Sequence, residues 1–181
     1  MPSPEFIAQK KDVLAKGLVK GRSTEEYSSN VYLLPVPRDS FSKVASRDIS
    51  PAHVGNLKNS VDIFVPNGTP VLAAYDGVVV GLRKDSKVGG TTIEFWDKGN
   101  YIDIAHENGE HTWYEHLQYD GVAVEVGQKV KQAQIIGYSG STGITDEPHL
   151  HFQVNRYYGK GQDEYVTLRV KFHILPDLYR K

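Results

Sequence analysis

The sequence predicts an antiparallel, mainly all-β domain, built as a sandwich or open barrel, with one short helix at its N-terminus. Three observations predict it. From about residue 31 onward, short runs rich in Val, Ile, Tyr and Thr alternate with glycine-containing turns. Within several of these runs apolar residues fall at every second position, the period of a strand with one buried face. At 181 residues with no cysteine, the chain is long enough to bury a single core without disulfide staples.

Taken in order, residues 3–17 read as the helix. Ser3 caps it, Pro4 takes the first helical position, and Phe6, Ile7, Val13 and Leu14 form an apolar stripe that Gly17 ends. Residues 21–30 are polar, so residues 1–30 are expected to form a helix and linker, with the β domain over 31–181. Strands are expected over 61–65, 70–74, 77–82, 91–96, 101–105, 112–117 and 149–154. A final strand over 164–174 places Val166, Leu168, Val170, Phe172 and Ile174 on one face. The dipeptides Asp76-Gly77 and Asn108-Gly109 are of the type that tolerates the positive φ of hairpin turns.

Charge and composition exclude several functions. The 21 basic and 22 acidic residues are interspersed and leave a formal net charge of -1, which provides no electrostatic footprint for nucleic acid or an anionic membrane. No apolar run approaches the roughly 18 residues of a membrane span. Without cysteine, any metal must be held by His, Asp or Glu.

Seven histidines are available: His53, His106, His111, His116, His149, His151 and His173. His149 and His151 flank Leu150 in an alternating run, so Leu150, Phe152 and Val154 should face the core while the two imidazoles project together from the other face. Asp62 stands inside the apolar run Val61-Asp62-Ile63-Phe64-Val65, where a carboxylate is costly unless it is paired or binds a metal. His106 and His111 flank the Asn108-Gly109 turn and read as structural, and His173 as solvated.

The blocks that join these residues have a recognisable order. His53 and Asp62 are followed by Pro66-Asn67-Gly68-Thr69-Pro70-Val71, Asp76-Gly77-Val78, Tyr114-Glu115-His116-Leu117, Ser139-Gly140-Ser141-Thr142-Gly143 and His149-Leu150-His151-Phe152. This series, over roughly residues 50–155, resembles the lysostaphin-type, LytM-like zinc endopeptidases of peptidase family M23. The resemblance implies that His53, Asp62 and His151 bind one Zn²⁺ and that His116 and His149 form the catalytic pair. Two imidazoles and one carboxylate leave a tetrahedral position open, which is a catalytic rather than a structural donor set. There is no HExxH segment, so one of His116 and His149 would serve as general base while the other, protonated, stabilises the oxyanion. Tyr114 is placed within reach of the substrate, which the resemblance implies is a peptide of bacterial cell-wall peptidoglycan. The first residues lack the basic start and apolar segment of a secretory signal, although such a substrate would require the cell envelope or secretion.

Two features depart from the family's pattern. His53 and Asp62 stand nine positions apart where the best-known members have four, so residues 55–59 should loop out between them. Glu115 takes a position usually held by a small residue. On a regular strand it would point away from His116, and if it reached the cleft it would alter the charge preference for substrate. The alternative function is a catalytically silent binding or regulatory module, or an autoinhibited one in which residues 1–50 place a loop over the cleft and Asn30 supplies a fourth zinc ligand.

Overall fold

The structure, a computed structural model, describes residues 22–46, 53–160 and 164–173, together with Lys16. The helix expected over 3–17 therefore lies outside the described residues, as does Ile174. Among the described residues there is no α-helix, and none is long and apolar enough to cross a membrane. The described residues form thirteen strands in the order β1 (Tyr27–Leu33), β2 (Lys43–Ser46), β3 (Val61–Phe64), β4 (Pro70–Leu72), β5 (Gly77–Arg83), β6 (Gly89–Gly90), β7 (Asn100–Ala105), β8 (Glu110–Val122), β9 (Lys129–Val130), β10 (Ile135–Ser139), β11 (Gly143–Ile144), β12 (His149–Tyr157) and β13 (Tyr165–His173). Eleven form one curled, open sheet along the path β1-β13-β12-β8-β7-β5-β9. Two strands hold it together. The start of β12 lies between β3 and β8 and its end between β13 and β8, while β8 passes from β12 and β7 to β10.

Alternation sorts the two faces as the sequence predicts. Leu150, Phe152 and Val154 of β12 are fully buried with Tyr114 of β8, Ile102 and Ile104 of β7, Val79 of β5, Ile63 of β3 and Leu168 of β13. Each such side chain contributes about 1.5–3 kcal/mol through burial, so this layer dominates the stability of the sheet. The odd-numbered residues of β12 take the opposite face. The β7–β8 hairpin turns at Asn108-Gly109, where Gly109 has φ 78° and needs the freedom of glycine.

Several elements differ from expectation. Residues 91–96 form a short 3₁₀ turn at Ile93–Phe95 rather than a strand, because Phe95 lies over Gly90 and the Thr92 hydroxyl donates to Glu94 Oε1 at 2.9 Å. Asp76-Gly77 makes no hairpin, since β4 pairs with β10 and β5 with β7 and β9. Strand β1 begins at Tyr27, inside the stretch read as linker. It is held by parallel pairing to β13 and by Glu110, which accepts from the Ser29 and Asn30 amides and the Tyr32 hydroxyl. Asn30 is thereby fixed against Glu110, which shares the strand face of Tyr114 and is turned away from His151. Its expected role as a metal ligand is corrected.

Candidate metal centre and active site

The side chains around Asp62 come together through strand register. Asp62 of β3 pairs directly with His151 of β12, and His151 in turn with Glu115 of β8, so all three lie on one face in adjacent strands. His53 enters from the loop before β3. The nine-residue spacing is taken up by a 3₁₀ turn at Gly55–Leu57, and Asn59 pins the loop by donating from Nδ2 to the carbonyl of Thr167 at 2.6 Å. His53, Asp62 and His151 are all buried, and one donor atom from each lies within 4.8 Å of the others, an arrangement that could hold a metal ion.

The separations test that fit. His151 Nδ1 stands 3.0 Å from Asp62 Oδ1, His53 Nε2 3.3 Å from the same oxygen, and the two nitrogens 3.4 Å from each other. A tetrahedral zinc site with bonds of about 2.0–2.1 Å has ligand–ligand edges of about 3.3–3.4 Å. The three atoms thus sit at nearly the spacing that one small cation imposes. Burial alone would raise the Asp62 pKa, but His53 and His151 outweigh it and hold the carboxyl well below its usual range. Burial likewise works to lower His151, yet Asp62, with a further contribution from Glu115, brings it up to about 9. Burial dominates at His53 and depresses its pKa.

A second layer orients His151. Gln153 Oε1 lies 3.0 Å from His151 Nε2 and also accepts from the Ser60 hydroxyl at 3.0 Å, while Gln153 Nε2 donates to Asn155 Oδ1 at 2.9 Å. With its carbonyl oxygen facing His151, Gln153 takes the Nε2 proton, so Nδ1 is the nitrogen that faces Asp62 and His53 and would become the donor atom once its proton is displaced. Gln153 is not among the site residues expected from the sequence. Its place two residues after His151, on the same strand face, is the signal that could have found it.

His116 and His149 complete the cluster, with ring centroids 4.6 Å apart. His149 Nδ1 donates to the Glu147 carbonyl at 2.8 Å, and its Nε2 is 3.6 Å from Asp62 Oδ1. His116 Nδ1 donates to the Thr142 carbonyl at 2.8 Å. Both rings therefore carry a proton on Nδ1, which leaves Nε2 as the nitrogen at which a proton can be exchanged. Burial, reinforced by His149 and His151, holds the His116 pKa well below its ordinary value.

The backbone at His116 is the least regular part of the site. His116 has φ 64°, a left-handed conformation that costs on the order of 1–2 kcal/mol for a residue other than glycine. The register against β7 shifts here, from Asn100–Leu117 to Tyr101–Glu115, so His116 is the extra residue of a β-bulge. The bulge explains how adjacent residues share a face: Tyr114 and Leu117 point to the core, while Glu115 and His116 both point to the cleft. Glu115 thus does not point away from His116 as regular alternation predicts. The Ser139–Gly143 block buttresses the bulge. Thr142 Oγ1 donates to the Leu117 carbonyl and accepts from the Asn100 amide, and Gly143, at φ 82°, lies so close to Gly99 that a Cβ would come within 2.8 Å of its Cα.

Tyr114 is corrected from substrate contact to core. It is fully buried, and its hydroxyl accepts from the Ala74 amide at 2.8 Å. His106 is structural as expected, donating from Nδ1 to the Asp76 carbonyl and accepting at Nε2 from the Thr112 hydroxyl. His111 pairs with Asp103 at 3.0 Å.

Fold and site together define a curled antiparallel β protein with a candidate mononuclear metal centre on the polar face of its sheet. The model of peptidase family M23 matches residues 56–164, and the chain belongs to that family. It is 45% identical over 100 residues to the glycyl-glycine endopeptidase ALE-1 of Staphylococcus capitis, covering 55% of this chain and 25% of that protein. It is 41% identical over 96 residues to the peptidoglycan DD-endopeptidase ShyA of Vibrio cholerae, covering 53% of this chain and 20% of that protein. The match thus spans a quarter or less of these relatives' length. A solved structure described as a putative glycyl-glycine endopeptidase lytM from Ruminococcus gnavus shares the fold, with a TM-score of 0.51 at 24% identity over 77% of this chain and 57% of that one.

Proposed function

We propose that the protein is a zinc-dependent endopeptidase that hydrolyses peptide bonds in bacterial cell-wall peptidoglycan. The observation that carries this reading is the convergence of His53 Nε2, Asp62 Oδ1 and His151 Nδ1 at metal-ligand spacing, beside two further imidazoles that are each fixed through Nδ1 to a backbone carbonyl. In this reading these three atoms hold the ion, and Gln153 keeps His151 in the tautomer it needs. When bound, zinc supplies Lewis-acid polarisation of the scissile carbonyl and lowers the pKa of water towards about 7.

The protein's own groups supply the proton transfers. One of His116 and His149 takes the proton of the attacking water at Nε2 and delivers it to the leaving amine; the other, protonated, stabilises the oxyanion. The carbonyls of Thr142 and Glu147 fix both rings through Nδ1, so neither must reorient to act. Peptidoglycan as substrate rests on the relatives named as glycyl-glycine and peptidoglycan endopeptidases.

The test is a peptidoglycan digest read by mass, with metal content measured on the same sample. Cleavage should disappear on chelation and return with added Zn²⁺. A protein holding one zinc per chain that releases no fragment from peptidoglycan or glycine-rich peptides would contradict the reading and favour a silent binding module.

A further inference from the structure

We infer that Glu115 forms a subsite for a cationic group of the substrate, a free amine on the peptide close to the bond that is cut. The inference rests on the endopeptidase reading above and specifies what the cleft selects. Register places the residue: Glu115 pairs with His151 on one side and Tyr101 on the other, so its side chain stands on the cleft face one strand, about 4.8 Å, from His151. The bulge at His116 turns the next side chain to the same face, so Glu115 borders both the metal-site cluster and the imidazole pair.

The carboxylate is held in place and has no Lys or Arg bonded to it. Its Oε2 accepts from Trp113 Nε1 at 3.0 Å, and Trp113 is stacked on Tyr101 with centroids 4.1 Å apart. Gly99 leaves the space that Oε1 occupies, since a Cβ there would come within 2.3 Å of that oxygen. Among the described residues no Lys or Arg forms an ion pair with it. Arg83, two strands away, bonds instead to Asp85 at 3.1 Å and to the Asp97 carbonyl at 2.5 Å. Its partners within the protein are the Trp113 donor, the neighbouring imidazoles of His151 and His149 and the more distant Arg83, with no fixed cation bonded to it, and a cationic group of the substrate would supply one. Immediately before His149 in the chain, Asp146 and Glu147 line a pocket of about 130 Å³ together with Gly89, Gly90 and Ser141.

The competing role for Glu115 is to balance the charge of the metal alone. The experiment compares zinc-loaded wild type with Glu115→Gln on peptidoglycan with its amines free and on the same material acetylated with acetic anhydride. Wild type should cleave the free-amine material roughly three- to tenfold faster, the scale of an ion pair partly exposed to water. Glu115→Gln should hold one zinc and bring that ratio to near unity. An equal ratio in both proteins would overturn the inference while leaving the endopeptidase reading intact. Loss of zinc in Glu115→Gln would overturn it in favour of charge balance. Zinc-loaded wild type that cleaves neither material would overturn the endopeptidase reading, and this inference with it.

Discussion

Two of the buried carboxylates in this sheet, Asp62 and Glu110, differ in what surrounds them. Asp62, on the cleft face, has three imidazole nitrogens within 3.0–3.6 Å of one oxygen. Glu110, on the opposite face, accepts from the Ser29 amide at 2.6 Å, the Asn30 amide at 3.3 Å and the Tyr32 hydroxyl at 2.8 Å, with Arg156 at 3.5 Å. At both, burial pushes the pKa up and the partners bring it down below the ordinary value. The donors decide the difference. Amide, hydroxyl and guanidinium groups keep their protons, so Glu110 is closed and joins β1 to the sheet. Imidazoles can shed theirs, so the group around Asp62 can exchange a proton for a cation.

Substitutions can break this contrast. The largest effect is expected at the metal site and its catalytic neighbours. His151→Ala should lose zinc and with it all measurable cleavage, whereas His149→Ala and His116→Ala should keep zinc and lose turnover by about 10²–10⁴-fold, as befits groups that move protons. Kinetics on peptidoglycan fragments would show this. A smaller effect is expected one layer out. Gln153→Leu leaves the His151 Nε2–H and the Ser60 hydroxyl without their acceptor, and zinc affinity measured by chelator competition should fall roughly 10–100-fold. The smallest functional effect is expected at the other carboxylate. Glu110→Gln should leave zinc content unchanged while lowering stability by about 1–3 kcal/mol in urea unfolding, because buried donors lose a charged acceptor.

The parts of the site set by strand alternation were legible in the sequence. The shared face of His149 and His151, and the core face of Leu150, Phe152 and Val154, follow from a period of two in a strand that the structure extends to Tyr157. The loop between His53 and Asp62 was legible from its glycine and asparagines. What escaped depends on contacts distant in the chain. The bulge at His116 arises where β8 meets β7 and the Ser139–Gly143 block, and no local pattern announces an added residue; Glu115 was accordingly placed on the wrong face. Strand β1 reads as a polar linker because its ordering comes from Glu110, some 80 residues away in the chain. Tyr114 could not be separated from a substrate contact until Ala74 was seen to donate to its hydroxyl.

The central claim is that the two histidines of His149-Leu150-His151, though neighbours on one strand face, have separate tasks. Elemental analysis of zinc per chain in His151→Ala and His149→Ala tests this most directly. The account predicts that His149→Ala retains one equivalent and His151→Ala retains none. Equal zinc in both variants, or its loss only from His149→Ala, would contradict it.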